Sequence, residues 1–239
     1  MKYFEKSYAA PEENLAADEA LLELAEERGI ETLRIWESAV PFVVLGLSNH
    51  VSVEVVTAAC AQRGIPILRR VSGGGTVVQG PGCLSYALTL LIPEAGPLAT
   101  ITGTNRQVME IHRAALENLL GEPVAVQGHT DLETGGRKFS GNAQKRGRRA
   151  LLFHGTILHA ADLELINQLL RHPSREPDWR GRRAHAEFIA NLPATREQIT
   201  AALRMAWKAG EPLDSLPAAE TMERLAQRHG SSEWVNRRP

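Results

Sequence analysis

The first stretch whose residue types suit ligand binding is a run of three glycines, Gly73, Gly74 and Gly75. It lies between two apolar, β-branched runs, residues 65–68 and 76–78, which predict β-strands. Glycines at a strand end are tolerated where the chain turns sharply or where a ligand must touch the backbone. Exposed N–H groups there, with Arg69 and Arg70 beside them, suit a carboxylate or a phosphate. A hairpin turn with two surface arginines is the alternative interpretation.

A second stretch places a lysine between a tight turn and a run of small residues. Lys138 follows Gly135 and Gly136, at which residues 132–139 are predicted to turn as a hairpin. A lysine at a strand start, with small neighbours that leave room, can reach a carboxyl or phosphoryl oxygen. Its charge would stabilise negative charge that grows on a phosphate or a carbonyl. A solvated surface lysine is the alternative, because most lysines are exposed.

Four more polar residues are candidates for a site. Asp131 precedes the hairpin and suits Mg²⁺ or a nucleotide, or it opens the hairpin as an Asx-turn residue. His154 stands alone in a predicted strand and is interpreted as a wall residue rather than an acid or base. Asn14 and Asp18 lie four residues apart on one face of a predicted helix, where the acidic surroundings favour a solvated face.

Three motifs follow one another in an order that identifies a family. They read Arg-Arg-x-Ser-Gly-Gly-Gly from Arg69, Gly-Arg-Lys-x-Ser-Gly-Asn-Ala from Gly136 and His-Gly-Thr-x-Leu from His154. In this order they resemble the lipoate-protein ligase family, within the biotin/lipoate ligase and octanoyltransferase superfamily. The resemblance covers roughly residues 10–165, and three ordered motifs are more specific than any one of them. An Asn-x-x-x-Asp-Glu on the first helix is also typical of the family, which adds weight to Asn14 and Asp18.

The resemblance implies an activity and a set of site residues. Ligases of this family activate lipoate or octanoate with ATP to an acyl-adenylate and pass the acyl group to a lysine of a lipoyl carrier domain. Lys138 matches the catalytic lysine of the family motif. Arg70, Ser72 and the three glycines would hold the acyl carboxylate and the phosphate oxygens, and Asp131 would hold Mg²⁺ or the nucleotide. The implied binding set is completed by Ser140, Gly141, Asn142, Ala143, His154, Gly155 and Thr156.

The loop after the glycines departs from the ligase pattern and keeps a second activity open. Ligases of the family usually read Val-x-His-Asp-x-Gly-Asn there, whereas this chain has Gln79 in place of the histidine and Cys83 in place of the asparagine. Its Gly-Pro-Gly run resembles octanoyltransferases, which need no ATP and pass the acyl group through a cysteine thioester. No cysteine follows Cys83, so a transferase would have to use Cys83 itself. The sequence favours the adenylate route.

Composition bounds the class of protein. The chain has 239 residues, of which 43% are hydrophobic, and a net charge of −1, so one large domain fits and no global field draws it to nucleic acid or membrane. No apolar run reaches membrane-spanning length, and the N-terminus lacks the hydrophobic region of a signal peptide. The two cysteines make neither a disulfide framework nor a metal cluster. We expect a cytoplasmic protein with no nucleic-acid or membrane partner.

Hydrophobic periodicity predicts helices at residues 11–27, 53–63, 105–120, 163–170, 196–208 and 218–228, and strands at residues 32–36, 42–46, 84–92, 123–126 and 150–159. This order favours an α/β (α+β) fold with a mixed, largely antiparallel sheet and flanking helices. The resemblance implies the biotinyl/lipoyl protein ligase catalytic-domain fold, which is related to class II aminoacyl-tRNA synthetases. We expect a catalytic domain at residues 1–192 and a helical C-terminal extension at residues 193–239, without a full accessory domain. A ligase subunit that needs a separately encoded accessory partner is therefore a third interpretation.

Two basic runs predict where a partner docks. Residues 137–149 contain six lysines and arginines and no acidic residue, and residues 171–185 contain five arginines. Because Lys138 starts the first run, we expect its tip, residues 145–149, to lie near the mouth of the active site. As the resemblance implies, lipoyl carrier domains and glycine cleavage H-like proteins are commonly acidic, so a basic rim would steer them. A solvated turn with no partner is the alternative for this tip.

Overall fold

The computed structural model describes residues 1–214 and 217–238. The strands are β1 (Lys2–Glu5), β2 (Thr32–Trp36), β3 (Phe42–Leu45), β4 (Ile67–Arg69), β5 (Val77–Gln79), β6 (Cys83–Leu91), β7 (Ala125–Gln127), β8 (Asp131–Thr134), β9 (Arg137–Arg146), β10 (Ala150–Leu158) and β11 (Glu211–Pro212). The α-helices are α1 (Pro11–Arg28), α2 (Val51–Glu54), α3 (Thr57–Gln62), α4 (Ile101–Leu120), α5 (Leu163–Leu169), α6 (His185–Phe188), α7 (Arg196–Ala206), α8 (Ala219–Gly230) and α9 (Ser232–Val235).

The described strands form two sheets. The larger sheet has the order β11-β1-β2-β6-β10-β9-β8-β7, and the smaller one has the order β4-β3-β5. In the larger sheet β1 runs parallel to β2 and β11, whereas the other neighbours are antiparallel. The predicted mixed, largely antiparallel sheet with flanking helices is therefore confirmed.

The alternation of side chains along β10 shows how helices cover both faces of the larger sheet. Leu151 and Phe153 pack with α4 and α7 in the larger core, whereas Ala150 and Leu152 pack against Leu22 of α1. This alternation follows from the period of two along a strand. α1 contacts β6 and β10 on this face, and its polar residues Asn14 and Asp18 meet Arg34 of the neighbouring strand β2.

Glycines end the two long helices where the sequence predicts. Gly29 ends α1 and Gly121 ends α4, each in the left-handed conformation with φ of 69°. The N-terminus of α4 lies one turn earlier than predicted because the Thr100 side chain accepts a hydrogen bond from Gly103 N at 3.0 Å and caps the helix there.

The predicted helix at residues 53–63 is wrong. Two short helices, α2 and α3, replace it, and Val55 between them is extended, with φ of −120° and ψ of 138°. Val55 forms a β-bridge with Leu170, and Val56 N donates to Leu169 O at 2.9 Å. Tertiary pairing with the end of α5 thus overrides the helical pattern, aided by the preference of valine for extended backbone.

The C-terminal helices pack on the first helix and on the smaller sheet. α8 lies along α1, and α9 contacts β4. Arg228 and His229 of α8 bond the Glu19 carboxylate of α1. Within the two described ranges, no helix combines the length and the apolar character needed to span a membrane.

Candidate active site

A cleft of about 870 Å³ opens between the smaller sheet and the β8–β9 hairpin. Its inner end is lined by Leu15, Trp36, Val44, Val77 and His154. Its outer end is covered by residues 173–188, which we call the strap. His154 of β10 pairs with Ala143 of β9, and Lys138 lies five residues before Ala143 on β9. The backbone positions of Ala143 and Lys138 are thus roughly 17 Å apart along β9, and the Lys138 side chain reaches back toward Gly141.

The glycine loop joins β4 to β5 at the edge of this cleft. Its shape is fixed by Arg70, which donates from Nη2 to Gly73 O at 2.6 Å and to Gly75 O at 2.8 Å. A Cβ on Gly74 would lie 2.8 Å from the same Nη2, so only glycine fits beside the guanidinium. Burial lowers the pKa of Arg70 to about 10, and its donors are largely committed to the loop itself. Arg70, Gly74 and Gly75 line the cleft, whereas the buried Ser72 and the exposed Gly73 do not.

Arg69 points away from the glycine loop, contrary to its predicted place beside an anion. Its buried guanidinium donates to the carbonyls of Gly46 at 2.9 Å, Asn49 at 2.7 Å and Val235 at 2.7 Å. The Arg69 carbonyl in turn accepts from Trp234 Nε1 at 2.8 Å. Successive side chains on a strand point to opposite faces, so only Arg70 of the pair faces the cleft.

Lys138 and Asp131 form an ion pair at the outer half of the cleft. Lys138 Nζ lies 2.6 Å from Asp131 Oδ1, and Trp179 Nε1 of the strap donates to Asp131 Oδ2 at 3.2 Å. The hairpin turns at Gly135 and Gly136, whose φ values of 57° and 75° suit the tight turn that matches strand twist. A Cβ on residue 141 would lie 2.9 Å from Lys138 Nζ, so this glycine leaves the space that the ammonium group occupies.

Asn142 lines the cleft, but its amide is engaged within the protein. Its Nδ2 donates to Thr130 O at 2.6 Å, and its Oδ1 accepts from the Tyr86 hydroxyl at 2.5 Å. A Cβ on Gly155 would lie 1.7 Å from Asn142 Oδ1, so the glycine of the third motif makes room for this amide. Gly141, Ala143, Gly155 and Thr156 also line the cleft, whereas Ser140 is buried and is not among the lining residues.

A buried polar chain supports the inner end of the cleft. Asp18 Oδ1 lies 2.5 Å from Arg34 Nη1, and Asp18 Oδ2 lies 3.6 Å from His154 Nδ1. His154 Nε2 is 2.6 Å from the Ser72 hydroxyl. The solvated-face interpretation of Asn14 and Asp18 is wrong, since both are buried against Arg34. Arg34 lies on β2, so the periodicity of α1 alone does not reveal that it pairs with Asp18.

Gln79 forms a second polar contact at the cleft wall. Its amide donates to the Thr156 hydroxyl, and its carbonyl accepts from Ser85 Oγ at 3.0 Å. Gln79 and Ser85 are buried between β5, β6 and β10. The two hydrogen bonds give both the nitrogen and the oxygen of the Gln79 amide a partner there.

Cys83 lies outside the cleft. It is 3% exposed, it packs in the apolar cluster beneath the smaller sheet, and it is not a lining residue. Burial raises the pKa of its thiol to about 12. A thiol with such a pKa is protonated at neutral pH, and the protonated form is a poor nucleophile.

The basic tip at residues 145–149 lies at the far end of β9 from Lys138. Lys138 and Lys145 are seven residues apart on one extended strand, so their backbones are roughly 23 Å apart. Arg146 is used structurally, since its Nη2 donates to Leu98 O at 2.9 Å and to Ala99 O at 3.1 Å. The prediction that this tip borders the active-site mouth is wrong. β9 extends from Arg137 to Arg146, so Lys138 and the tip lie at opposite ends of the same strand.

The strap was predicted only as a basic run, yet it supplies several cleft residues. The rings of Trp179 and Phe188 pack against each other at a tilt of 48°, with centres 4.5 Å apart, and Arg180 and His185 line the same wall. The sequence signal that identifies them is weak, since one tryptophan among five arginines fits a surface segment equally well.

The residues around Asp131 do not form a complete metal site by themselves. Among the described residues, no group of three His, Cys, Asp or Glu side chains lies close enough to hold a metal. Both oxygens of Asp131, the predicted Mg²⁺ ligand, are engaged by Lys138 and Trp179. Magnesium in nucleotide sites is commonly held by one or two carboxylates together with substrate phosphates.

The sequence matches one family model and several known proteins. Residues 10–204 match the family model of the lipoyl protein ligase A/B catalytic domain. A protein of Aeropyrum pernix named as a lipoate-protein ligase A is 29% identical over 209 residues, which are 86% of this chain and 74% of that protein. Octanoyltransferase LipM of Geobacillus kaustophilus is 25% identical over 272 residues, covering 98% of this chain and 96% of that protein. Three further relatives named as lipoate-protein ligases are longer, and the chain aligns with 45%, 52% and 35% of their length.

Solved structures share the fold. A lipoate-protein ligase A bound with ATP superposes with a TM-score of 0.80 at 21% identity, over 98% of each chain. A bipartite lipoate-protein ligase of Thermoplasma acidophilum, described with its E2 lipoyl domain, gives a TM-score of 0.77 at 22% identity, over 98% of this chain and 96% of that one. The predicted ligase catalytic-domain fold is confirmed.

Proposed function

Because this chain belongs to the lipoyl protein ligase A/B catalytic-domain family, we propose that it is an ATP-dependent lipoate-protein ligase. It activates lipoate or octanoate to an acyl-adenylate and transfers the acyl group to a lysine of an acidic lipoyl carrier domain or a glycine cleavage H-like protein. The observation that carries the proposal is the pairing of Lys138 with Asp131 in a cleft that the glycine loop also lines and that neither cysteine lines.

The cleft divides in a way that suits the two substrates. The inner end, with Trp36, Leu15 and Val44, offers apolar surface for an acyl chain whose carboxylate then points toward the glycine loop. The outer end, with Lys138 and the strap, offers positive charge and two aromatic rings for a nucleotide. The reacting carboxylate and the α-phosphate therefore meet between Gly75 and Lys138.

Lys138 acts on the charge that develops during both half-reactions. In the first, a carboxylate oxygen of the acid bonds to the α-phosphorus while pyrophosphate leaves with the electron pair of the broken P–O bond. In the second, the carrier amine bonds to the acyl carbon, the C–O bond to the phosphate breaks, AMP leaves with its electron pair, and the amine proton passes to solvent. The Lys138 ammonium faces the phosphate oxygens and the developing carbonyl oxyanion, and Asp131 holds it in that direction.

The second candidate is an octanoyltransferase that uses no ATP. It is favoured by the similarity to octanoyltransferase LipM over almost the whole of both chains. The burial and raised pKa of Cys83 disfavour it, since the thioester would have to form on a thiol that the cleft does not reach. Both cysteines are free, which agrees with the cytoplasmic location that we propose.

One experiment separates these activities. The purified chain is incubated with lipoate, ATP and Mg²⁺, and lipoyl-adenylate is sought by mass spectrometry. The ligase proposal requires the adenylate from the chain alone. Adenylate formation that needs added cell extract would support a separately encoded accessory subunit. Acyl transfer from octanoyl carrier protein without ATP, and no adenylate, would establish the transferase instead.

A further inference from the structure

Arg69 connects the glycine loop to residues 228–238, which we call the C-terminal segment. The Arg69 side chain is fully buried, and it donates to Val235 O from Nε at 3.0 Å and from Nη2 at 2.7 Å. The Arg69 carbonyl accepts a hydrogen bond from His229 Nδ1 at 2.9 Å and another from Trp234 Nε1 at 2.8 Å. The C-terminal segment therefore holds both the side chain and the backbone of the residue that directly precedes Arg70.

The other side of the Arg69 guanidinium holds the turn that follows β3, and this turn lies against the glycine loop. Arg69 Nη1 donates to Gly46 O at 2.9 Å and to Leu47 O at 3.2 Å. Leu47 N in turn donates to Ser72 O at 2.8 Å. A Cβ on Gly46 would lie 2.1 Å from Gly74 O, so these two backbones are in direct contact. A displacement of Arg69 would thus be felt at Ser72 and Gly74.

From these contacts we propose that the C-terminal segment is a positioning element of the acyl site. Through Arg69 it holds the glycine loop in the conformation that receives the acyl carboxylate. The inference rests on the proposed ATP-dependent function, and it gives a role to a segment that lies beyond residue 204, where the match to the family model ends. Arg69 does not line the cleft, so it acts through the loop and not on the substrate.

The glycine loop needs such an external support because it has few side chains of its own. Gly73, Gly74 and Gly75 are exposed, and glycine has more backbone freedom than any other residue. When the binding conformation is populated only in part, the apparent affinity for the ligand falls by the same fraction. The nucleotide end of the cleft is built on β8, β9 and the strap, so its affinity should not follow that of the acyl end.

The test compares two variants that weaken this connection with one that does not touch it. Trp234→Phe removes one donor to the Arg69 carbonyl and keeps an aromatic ring, and Arg69→Gln removes the guanidinium. The matched control is Arg224→Gln, because Arg224 joins α8 to Glu23 of α1 without reaching Arg69. Calorimetry measures the affinities for lipoate and for AMP, and hydrogen exchange with mass spectrometry measures the amides of residues 70–76.

We expect Trp234→Phe to weaken lipoate roughly fivefold, as for the loss of one neutral hydrogen bond, and Arg69→Gln to weaken it roughly 30-fold. AMP affinity should stay within about twofold of wild type in both variants. Exchange should quicken at residues 70–76 while β6 and β10 keep their protection. Arg224→Gln should match the wild type in every measurement.

The outcomes separate this inference from the proposed function. Equal losses for lipoate and AMP, or faster exchange throughout the chain, would show that the C-terminal segment supports only the fold. Unchanged lipoate affinity in Trp234→Phe would overturn the proposal even if Arg69→Gln fails to fold. If the wild type binds lipoate and the variants lose it, but no adenylate forms, the ligase proposal fails and the positioning role stands. If the wild type binds no lipoate, both fail.

Discussion

The Tyr86 hydroxyl donates to Asn142 Oδ1 at 2.5 Å, and this bond ties the core of the protein to the floor of the cleft. Tyr86 is 1% exposed, and its ring packs edge-on against His112 of α4. Asn142 also fixes the position of Thr130, whose carbonyl accepts a hydrogen bond from Asn142 Nδ2 at 2.6 Å. The next residue is Asp131, the partner of Lys138. The position of the Lys138–Asp131 ion pair therefore depends on a hydrogen bond that Asn142 forms with Tyr86.

Replacing Asn142 with alanine should loosen this floor. The Tyr86 hydroxyl and the Thr130 carbonyl would lose their partner, at a cost of roughly 2 kcal/mol in the free energy of unfolding. Adenylate formation should fall more than stability explains, because Asp131 is no longer fixed. Urea unfolding and the lipoate-dependent half-reaction measure the two effects, with Lys145→Ala, at an exposed position of the same strand, as the control. Unchanged adenylate formation would remove Asn142 from the support of the ion pair.

Lys138→Ala should reduce adenylate formation by roughly 10²- to 10³-fold, as for the loss of one charge-stabilising donor. Its side chain lines the open cleft, where water can solvate Asp131 in its place, so we expect the variant to keep its fold. Single-turnover assays with lipoate and ATP give the rate, and circular dichroism gives the fold. Near-normal turnover would exclude Lys138 from the mechanism.

The sequence predicts much of this site because its motifs sit on elements with strong local signals. Gly29 and Gly121 end their helices as predicted, and Gly135 and Gly136 turn the hairpin. These positions need backbone conformations that glycine adopts most easily, so local chemistry decides them.

The remainder depends on contacts that no local pattern contains. β9 continues to Arg146 although its second half is polar, because neighbouring strands supply its hydrogen bonds. Asp18 is buried because Arg34 meets it from another element. Arg69 and Arg70 look alike in the sequence, yet one anchors the C-terminal helices and the other shapes the glycine loop.

Cys83→Ala should leave ATP-dependent activity within about twofold of wild type. The thiol lies outside the cleft and is protonated at neutral pH, since its pKa is raised to about 12. A buried sulfur removed from the core should cost about 1 kcal/mol of stability. Intact-mass spectrometry after incubation with octanoyl carrier protein is the decisive measurement. An acyl-thioester on Cys83, together with loss of activity in the variant, would contradict the ligase proposal.

Burial of His112 should make the protein sensitive to acid. Trp207 Nε1 donates to His112 Nε2 at 2.8 Å, so the neutral ring carries its proton on Nδ1, and burial lowers the pKa of His112 to about 3. Above pH 6.5, the ordinary pKa of histidine, His112 does not make the free energy of unfolding depend on pH, because neither the folded nor the unfolded state binds a proton at this ring. As the pH falls from about 6.5 toward 3, the unfolded state alone is protonated, which costs roughly 1.4 kcal/mol per pH unit.

His112→Gln keeps an acceptor for Trp207 and removes the titration. Its free energy of unfolding, measured in urea between pH 7 and pH 4, should depend less steeply on pH than that of the wild type. His172→Gln, at an exposed position just before the strap, should retain the wild-type slope. Parallel curves for His112→Gln and the wild type would show that other groups dominate acid unfolding.

The strap, rather than the tip of β9, should receive the acidic carrier. Arg175 is exposed at the rim of the cleft, on the side where the acyl-adenylate would be attacked. Arg148 is also exposed, but it follows the end of β9 that is distant from Lys138. A charge steers a partner over a Debye length of about 8 Å at physiological salt, so of these two arginines we expect Arg175, which lines the cleft, to act on the approaching carrier.

Arg175→Glu should therefore raise KM for an acidic lipoyl domain roughly fivefold at low salt, with the difference shrinking as screening increases. Arg148→Glu, which makes the same charge change, should leave KM at the wild-type value. Adenylate formation from free lipoate should be unaltered in both variants. Equal effects of the two substitutions would mean that net charge, not a local rim, attracts the carrier. Loss of adenylate formation in Arg175→Glu would place this arginine at the nucleotide instead.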